Sequence, residues 1–415
     1  MQIPPKLFVK QYATPSACYE YRCWVPARGL QTLYGADVTR GGEWQLSGSQ
    51  DFQQYLALLA HQDIVQYYAS GGQATAAILK FLRTLKPWDY LGSKRYPPIY
   101  WTDLDDNVDH CHPLNFRFKV LGTRTLSGRY LKPGEEVRIV LTNGELITIW
   151  KDGEKGFNIA NNIEANKTLN KCLKKADAVT FTTERLRRYY VDRYRLNNTY
   201  VFPNSVIFTD YPDIKIRKKT GVVRLLWQGG EAHYADWYPL KAPMARAMEK
   251  FPELELVVWG PWYPSVFEGL PRVEHHPWVP YDAYKLKLAT MDFDIMIAPL
   301  VENKFNIYKS SIKMYEAAAL PRPRPTLAGA VPPYSDDIID GETGMLFKMP
   351  SKEDPDGDDF LTKLESLIRD AKLRQRIATN AKDWIRDNRS FDKTVPPLWD
   401  FLCATKERQE RRWAT

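Results

Sequence analysis

Apolar runs alternate with amphipathic stretches along the second half of the chain. The predicted strands are Val222–Trp227, Leu254–Trp259, Phe293–Leu300, Pro325–Ala328 and Met345–Phe347. The predicted helices are Leu240–Phe251, Tyr281–Met291, Lys309–Leu320 and a long one from Asp358 to about Asn388. Strands that alternate with helices form βαβ units, and such units build a parallel sheet.

The first half shows the same alternation with more interruptions. Its predicted strands are Lys6–Val9, Asp63–Tyr68, Pro98–Asp103, Val179–Thr182 and Thr199–Phe202, and its predicted helices are Gln50–His61, Gln73–Thr84 and Glu184–Tyr194. An insertion at about 122–150 breaks the pattern. There, Val137–Thr142 and Glu145–Trp150 flank Asn143-Gly144, the typical dipeptide of a type I′ turn, which predicts a β-hairpin.

Two similar α/β halves predict two Rossmann-like domains that face each other across a cleft, with ligands at the carboxyl ends of the strands. We place the first domain at 1–205, a basic linker at 206–220 and the second domain at 221–388. The last segment, 389–415, is either a helix that crosses back to the first domain or a frayed tail.

Composition narrows the class of protein. The 415 residues suffice for two domains, and the five scattered cysteines, without a Cys-x-x-Cys pair, argue against a disulfide scaffold or a zinc finger. No apolar run approaches the roughly 20 residues of a membrane span, so we expect a soluble, cytoplasmic protein. The chain has neither Gly-x-Gly-x-x-Gly after a strand nor a P-loop motif, which disfavours dinucleotide oxidoreductases and P-loop nucleotidases.

The positive charge is one-sided. The net charge is +8, and residues 1–205 alone hold 27 Lys and Arg against 19 Asp and Glu. Such asymmetry points to an anionic partner, such as nucleic acid or an acidic membrane surface, or else is a charge that serves solubility.

The most informative segment runs from Asn303 to Pro321. It follows an apolar strand and opens a helix, for which Ser310 or Ser311 is the expected N-cap. Lys309, Lys313 and Glu316 would then share one helix face, with the lysines at the N-terminus, where phosphate binds well, and the carboxylate two turns in, where it can bind a ribose diol. The alternative is an amphipathic helix with a solvated Lys–Glu face.

The segment after this helix adds context. Pro325–Ala328 gives a Pro-x-x-Ala turn, and Ile338–Leu346 gives Ile-x-Asp-Gly-x-x-Gly-x-Leu. The ordered set, over about 221–350, resembles the donor-binding half of retaining glycosyltransferases of family 4, which have the GT-B fold. The resemblance implies a nucleoside-diphosphate sugar, UDP- or GDP-linked, as donor, with no metal strictly required. Glu316 matches the second Glu of the family's Glu-x7-Glu motif, whereas Tyr308 stands at the first.

The family's Arg and Lys after the first strand of this domain are also missing. In their place the sequence has Gly229, Gly230 and His233, followed by Asp236, which looks like a Gly-x-x-x-His-x-x-Asp variant in viral and bacterial relatives. Glycines would let a diphosphate approach backbone N–H groups, with Lys309 and Lys313 supplying the charge; a simple turn is the alternative.

In the first half, the segment Tyr100–Asn107 forms the end of a predicted apolar strand and contains the motif Asp-Leu-Asp-Asp. Asp103 and Asp105 form an Asp-x-Asp, which in GT-A glycosyltransferases chelates a metal, but the GT-B pattern of the second half favours a different role. We interpret Asp105 and Asp106 as the groups that orient or deprotonate the acceptor hydroxyl, with a helix cap or a turn as the alternative.

Basic residues of the first half are the candidates for contacting the acceptor. The candidates for acceptor binding are Arg117, Lys119, Arg124, Arg129, Lys132 and Arg188. Arginines interleaved with tyrosines suit a phosphate backbone with stacked bases, an anionic membrane surface, or simply a solvated face.

The first half as a whole looks like glycosyltransferases of tailed bacteriophages, some of which modify hydroxymethylated pyrimidines in DNA. That resemblance implies DNA as the acceptor. A membrane lipid or a surface glycan is the alternative acceptor, and a non-catalytic nucleic-acid-binding GT-B protein is a second alternative.

Overall fold

Two six-stranded parallel sheets organise the chain in the computed structural model, which describes residues 5–10, 16–41, 49–68, 73–90, 93–140, 146–261 and 265–414. In chain order the strands are β1 (Lys6–Lys10), β2 (Asp37–Gly41), β3 (Ile64–Tyr68), β4 (Trp88–Tyr90), β5 (Ser93–Arg95), β6 (Ile99–Leu104), β7 (Glu136–Val140), β8 (Leu146–Lys151), β9 (Ala178–Phe181), β10 (Thr199–Val201), β11 (Val223–Gln228), β12 (Leu254–Trp259), β13 (Val273–His276), β14 (Ile295–Ala298), β15 (Thr326–Gly329) and β16 (Met345–Phe347).

The α-helices lie between these strands and, for the last three, after β16. They are α1 (Ala17–Tyr19), α2 (Val25–Tyr34), α3 (Ser49–Ala60), α4 (Gln73–Leu82), α5 (Phe118–Leu121), α6 (Ile159–Lys175), α7 (Glu184–Tyr194), α8 (Lys241–Lys250), α9 (Tyr281–Thr290), α10 (Ile312–Ala319), α11 (Tyr334–Asp337), α12 (Asp358–Arg369), α13 (Ala371–Asn388) and α14 (Phe391–Ala414). A π-helical turn, Glu20–Trp24, joins α1 to α2.

The chain divides into two compact units. The first unit holds the described residues within 1–107, 160–205 and 390–415, and its sheet has the order β10-β9-β6-β3-β1-β2. The second unit holds 108–159 and 206–389, and its sheet has the order β13-β12-β11-β14-β15-β16. Val206 and Tyr211, in the segment expected to be a linker, are buried in the core of the second unit.

The core of the second unit shows why its elements form. Strands β11, β12, β14 and β15 are buried along their whole length, as central strands of a parallel sheet are when helices cover both faces. Helices α8 and α12 pack against one face of this sheet, and α9, α10 and α13 pack against the other. The strand-helix alternation predicted from the sequence is confirmed.

The β-hairpin is also confirmed, as β7 paired antiparallel with β8. Its turn, with Asn143-Gly144, lies outside the described residues. The hairpin is inserted between β6 and α6, and it brings Trp150 against Phe118 and Phe157 in a small aromatic cluster. The Trp150 indole N–H donates to the carbonyl of Pro113 at 2.7 Å, and this bond fixes the hairpin to the chain segment that precedes it.

Two predicted helix boundaries were wrong and two strands were missed, each for a local reason. The long helix is broken at Asp370, whose carboxylate accepts from the Leu373 N–H and caps α13. Lys309 lies before α10, because its backbone is extended. The edge strands β2 and β13 were not predicted, since neither carries the apolar run of a central strand.

A buried ion pair ties the first unit together. Arg22 Nε and Nη2 donate to the two carboxylate oxygens of Asp103 at 2.7 and 2.6 Å, and both side chains are fully buried. Arg22 Nη1 donates to Asn204 Oδ1 at 2.9 Å, and the Thr180 hydroxyl donates to Asp103. Asp103 therefore holds the π-helical turn against the sheet.

Breaking this pair should destabilise the protein strongly. Asp103→Asn leaves the Arg22 guanidinium buried without a counter-charge, and we expect a loss of about 3–5 kcal/mol in the free energy of unfolding. Urea unfolding followed by tryptophan fluorescence measures this loss. The control, Glu154→Gln, breaks the exposed pair of Lys151 and Glu154 and should cost less than about 1 kcal/mol. Equal effects of the two variants would contradict the structural role of Asp103.

Candidate donor and acceptor sites

The carboxyl end of β11 opens the candidate donor site in the second unit. A Cβ at Gly229 would lie 2.8 Å from the Trp227 ring, so packing against that tryptophan requires a glycine. A Cβ at Gly230 would meet nothing within 4 Å among the side chains that the structure describes, which leaves space for a ligand there. The two glycines thus have different roles, and Gly230 is the one that leaves space.

Asp236 connects the loops that follow two neighbouring strands. Its Oδ1 accepts from the Val301 N–H at 3.0 Å and from Asn306 Nδ2 at 2.9 Å, and its Oδ2 lies 3.1 Å from His233 Nδ1. The loop after β11 is thereby fixed to the loop after β14, in front of α10. Burial, together with the charge of Lys313, lowers the pKa of His233 to about 4. His233 is therefore neutral at pH 7 and adds no positive charge to the site.

Lys313 is the central cation of this site. It lies in the first turn of α10 and is only 7% exposed, and no hydrogen bond or ion pair of its side chain occurs among the described residues. Burial is the main cause that lowers its pKa, to about 8, and the neighbouring charges are those of Asp236, Lys309 and Glu316. A mostly protonated lysine is thus held nearly out of water with no bonded counter-ion.

The start of α10 adds hydrogen-bond donors around this lysine. Ser311 occupies the N-cap position but makes no capping bond with its side chain; its hydroxyl is fully buried and has no partner among the described residues. Lys309 lies over the Phe305 ring, with Nζ 4.4 Å from the ring centre. A helix N-terminus with an unpaired lysine and an unpaired hydroxyl is suited to an anion.

Glu316 lies one turn further along α10 and is 3% exposed. Its Oε2 accepts from Gln228 Nε2 at 2.5 Å and from the Tyr284 hydroxyl at 2.9 Å. Burial, followed by the charge of Glu316, raises the pKa of Tyr284 well above its usual value, so this tyrosine remains a donor. Two donors therefore fix the position of the carboxylate.

The residue next to Glu316 fixes α10 from its other side. The Tyr315 hydroxyl donates to Asp337 Oδ2 at 2.5 Å, and Arg389 Nη2 donates to Asp337 Oδ1 at 2.8 Å. Arg389 Nε also donates to the Tyr315 hydroxyl at 3.1 Å. The helix that carries Lys313 and Glu316 is thus held in place on both sides.

The candidate acceptor residues Asp105 and Asp106 belong to the first unit, directly after β6. The Tyr68 hydroxyl donates to the Asp105 carboxylate, and Thr182 Oγ1 donates to its backbone carbonyl at 3.2 Å. Asn107 is the next residue; it is fully buried, and its amide has no partner among the described residues. Asp103 is bound to Arg22 inside the unit and is therefore not exposed beside Asp105 and Asp106. The described residues contain no group of three or more His, Cys, Asp or Glu side chains that could hold a metal ion.

The six basic residues expected at the acceptor are divided between the two units. Arg117, Lys119, Arg124, Arg129 and Lys132 belong to the second unit, and Arg188 belongs to the first. Arg124 stacks on the Tyr130 ring, while Arg129 and Arg188 pair with Glu135 and Glu184. At least these three side chains thus have structural partners close by in the chain.

Sequence reasoning missed four polar residues of these two sites: Gln228, Tyr284, Asn306 and Tyr68. Gln228 carried a signal, because it is the polar last residue of an otherwise apolar strand. Tyr284 on α9 and Tyr68 on β3 stand where a tyrosine is ordinary, and Asn306 lies in the short 3-10 turn before α10. Only the fold brings these three to the carboxylates.

No protein-family model matches the chain, and no curated protein matches it significantly. No helix in the described part of the chain combines the length and apolar character needed to cross a bilayer.

Solved structures are similar to the chain at low sequence identity. A glycosyltransferase from Rickettsia africae is 11% identical, with a TM-score of 0.60 over 97% of this chain and 98% of its own. HepE from Anabaena, in complex with UDP and glucose, is also 11% identical, with a TM-score of 0.58 over 96% and 100%. TarM is 14% identical, with a TM-score of 0.52 over 84% of this chain and 57% of its own, so the chain spans little more than half the length of TarM. Together with the two parallel-sheet units, these similarities show that the chain has the two-domain GT-B fold.

Proposed function

We propose that the protein is a retaining glycosyltransferase that moves a hexosyl group from a nucleoside-diphosphate sugar to an acceptor hydroxyl. The observation that carries the proposal is the buried, unpartnered Lys313 at the start of α10, one turn before the fixed carboxylate of Glu316. A buried lysine without a bonded counter-ion is costly, and a diphosphate would satisfy it.

The donor would bind along α10. In this arrangement the diphosphate accepts from the N–H groups at the helix start and from Lys313, with Lys309 nearby, and the ribose hydroxyls donate to Glu316. Gly230 leaves room for the phosphates beside β11. HepE, which has a similar fold, was solved with UDP and glucose, and this supports UDP over GDP as the nucleotide.

A retaining transfer would use the donor's own leaving group. The bond between the sugar C1 and the diphosphate oxygen breaks, a bond between C1 and the acceptor oxygen forms on the same face, and the acceptor proton passes to a diphosphate oxygen. The role of the protein is then to stabilise the negative charge that grows on the diphosphate, which Lys313 and the helix N-terminus can do. Asp105 and Asp106 would orient the acceptor hydroxyl.

For the acceptor we propose a hydroxymethylated pyrimidine in phage DNA. The positive excess supports an anionic acceptor: residues 160–205 hold nine Lys and Arg against four Asp and Glu. Arg117, Lys119, Arg124, Arg129, Lys132 and Arg188 are the residues proposed to contact it. Reaching a base would require a flipped nucleotide or a single strand.

Removing the ribose carboxylate tests the donor site. Glu316→Gln should weaken UDP binding by about 10- to 100-fold, the cost of losing a charged hydrogen-bond partner of about 1–3 kcal/mol. Isothermal titration calorimetry with UDP measures this change. The matched control is Glu342→Gln, an exposed glutamate outside the site, which should bind UDP like the unchanged protein. An unchanged affinity in Glu316→Gln would remove Glu316 from the site.

The titration of Lys313 gives a second test. Because its pKa in the free protein is about 8, the side chain is positively charged at pH 7 and loses this charge as the pH rises through 8. UDP affinity should therefore fall by up to tenfold per pH unit above about 8. In Lys313→Arg the side chain stays charged, so this fall should disappear. The same pH dependence in both proteins would contradict the proposed phosphate contact.

Nucleoside mass spectrometry tests the reaction itself. Duplexes with cytosine, hydroxymethylcytosine or hydroxymethyluracil are incubated with the protein and a mixture of UDP- and GDP-sugars. We expect a hexose-sized mass gain on one hydroxymethylated base only, and omission of each donor in turn identifies the nucleotide. Slow release of nucleoside diphosphate without a gain on DNA would keep the transferase and move the acceptor to a lipid or glycan. No release at all would favour a non-catalytic binding protein.

A further inference from the structure

A second basic site lies in the first unit, away from Asp105. It is a cavity of about 620 Å³ whose basic lining residues come from the ends of four helices. They are Arg83, Lys174, Lys175, Arg193, Arg195, Arg408 and Arg412, and Asp177 is the one carboxylate among the lining residues that the structure describes.

The cavity is at the amino edge of the first sheet. Helices α6 and α7 end at its wall with Lys175 and Tyr194, and strands β9 and β10 begin there. Asp105 follows the opposite, carboxyl end of β6, which is six residues long, so the two edges are about 20 Å apart. The cavity is therefore a site separate from the proposed reaction centre.

The charge of the cavity exceeds what the fold alone requires. Cations at helix C-termini normally offset the helix dipole, which amounts to about −0.5 charge per helix end. Four helix ends would account for about two of the seven positive charges, and Asp177, which pairs with Arg83 at 2.8 Å, accounts for one more. Three of the lining cations, Lys174, Lys175 and Arg195, are exposed to solvent.

The remaining lining groups point to phosphates as the ligand. The Tyr194 ring is already stacked on Tyr190, and the Arg193 guanidinium lies 5.5 Å from the ring centre, so the ring is engaged in contacts within the unit. The Asn198 amide already donates to Thr405 and accepts from Arg408. Separate cations, with the lining aromatic ring already stacked within the unit, suit several phosphate groups and no particular base sequence.

The apolar lining argues against a membrane. Leu173, Val179 and Leu196 line the cavity but are buried in the unit, so no apolar side chain among them is available to enter a bilayer. A concave cationic site of this size fits a strand with regularly spaced phosphates better than it fits a flat surface.

We propose that this cavity, defined by its seven basic residues, binds the phosphate backbone of a nucleic-acid strand independently of base sequence. The proposal rests on the proposed function in one respect, namely that the strand is the acceptor DNA. Binding itself needs neither donor nor transfer. The cavity would hold the strand in register while the base reacts elsewhere on the protein.

The experiment measures duplex binding in the absence of donor, by fluorescence anisotropy over a range of salt concentrations. The test variant is Lys175→Gln with Arg195→Gln, two exposed cavity residues. The control, Lys352→Gln with Lys372→Gln, removes the same charge from exposed sites in the second unit. The test variant should bind DNA roughly tenfold more weakly, and the slope of log K against log salt should flatten by about 1.8, while the control keeps the full slope. Unchanged thermal unfolding in both variants establishes that they are folded.

Three results would overturn the proposal. Equal weakening in the test and control variants would mean that net charge alone drives binding. Binding of the unchanged protein to phosphatidylserine vesicles but not to DNA would make the site a membrane contact, with the exposed Trp413 beside Arg412 as its anchor. Displacement of the DNA by inorganic phosphate at equal phosphate concentration would reduce it to a site for a single small anion.

The proposed function can fail separately. If DNA binding depends on the cavity but no base gains a sugar, the cavity stands and the proposed acceptor is wrong. If DNA is glycosylated and the KM for DNA is the same in the test and control variants, the acceptor stands and the cavity has no part in holding it.

Discussion

Parallel pairing of the strands is the constraint on which the sites of this protein depend. Each of the two six-stranded sheets is parallel throughout, so all carboxyl ends meet at one edge of a sheet and all amino ends at the other. Gln228 and the loop with Asp236 gather at the carboxyl edge of the second sheet, and Asp105 lies at that edge of the first. The helices end over the opposite edge of the first sheet, and their basic last turns form the cationic cavity there.

The candidate donor site is built around Lys313, a charged side chain that is almost fully buried. Asp236 is close to Lys313, but its oxygens are occupied by Val301, Asn306 and His233. Glu316 is likewise held by Gln228 and Tyr284. Both carboxylates thus stabilise the positive charge of Lys313 from a distance without forming an ion pair with it. This leaves the ammonium available to an incoming anion, at a cost to the stability of the empty protein.

The sequence predicted the fold better than it predicted the contacts. Strand Leu254–Trp259 and helix Glu184–Tyr194 were predicted to the residue, because each is a long, unambiguous pattern. Lys313 and Glu316 could be found because they are close in the chain and share a helix. The partner of Asp103 could not, since Arg22 is 81 positions away and nothing local distinguishes it from a surface arginine. The edge strands β2 and β13 were missed because they are half-exposed and lack a continuous apolar run.

The path of the chain has a consequence for how the protein is made. The first unit takes its residues from 1–107, from 160–205 and from 390 onward, and Val395, Leu398 and Leu402 of α14 belong to the same buried core as Leu7 and Leu30. On a ribosome, α14 emerges after the entire second unit. Part of the core of the first unit therefore stays uncovered until almost the whole chain has been translated. The second unit can complete its own core earlier. The unit whose synthesis begins first is thus the last that can finish folding.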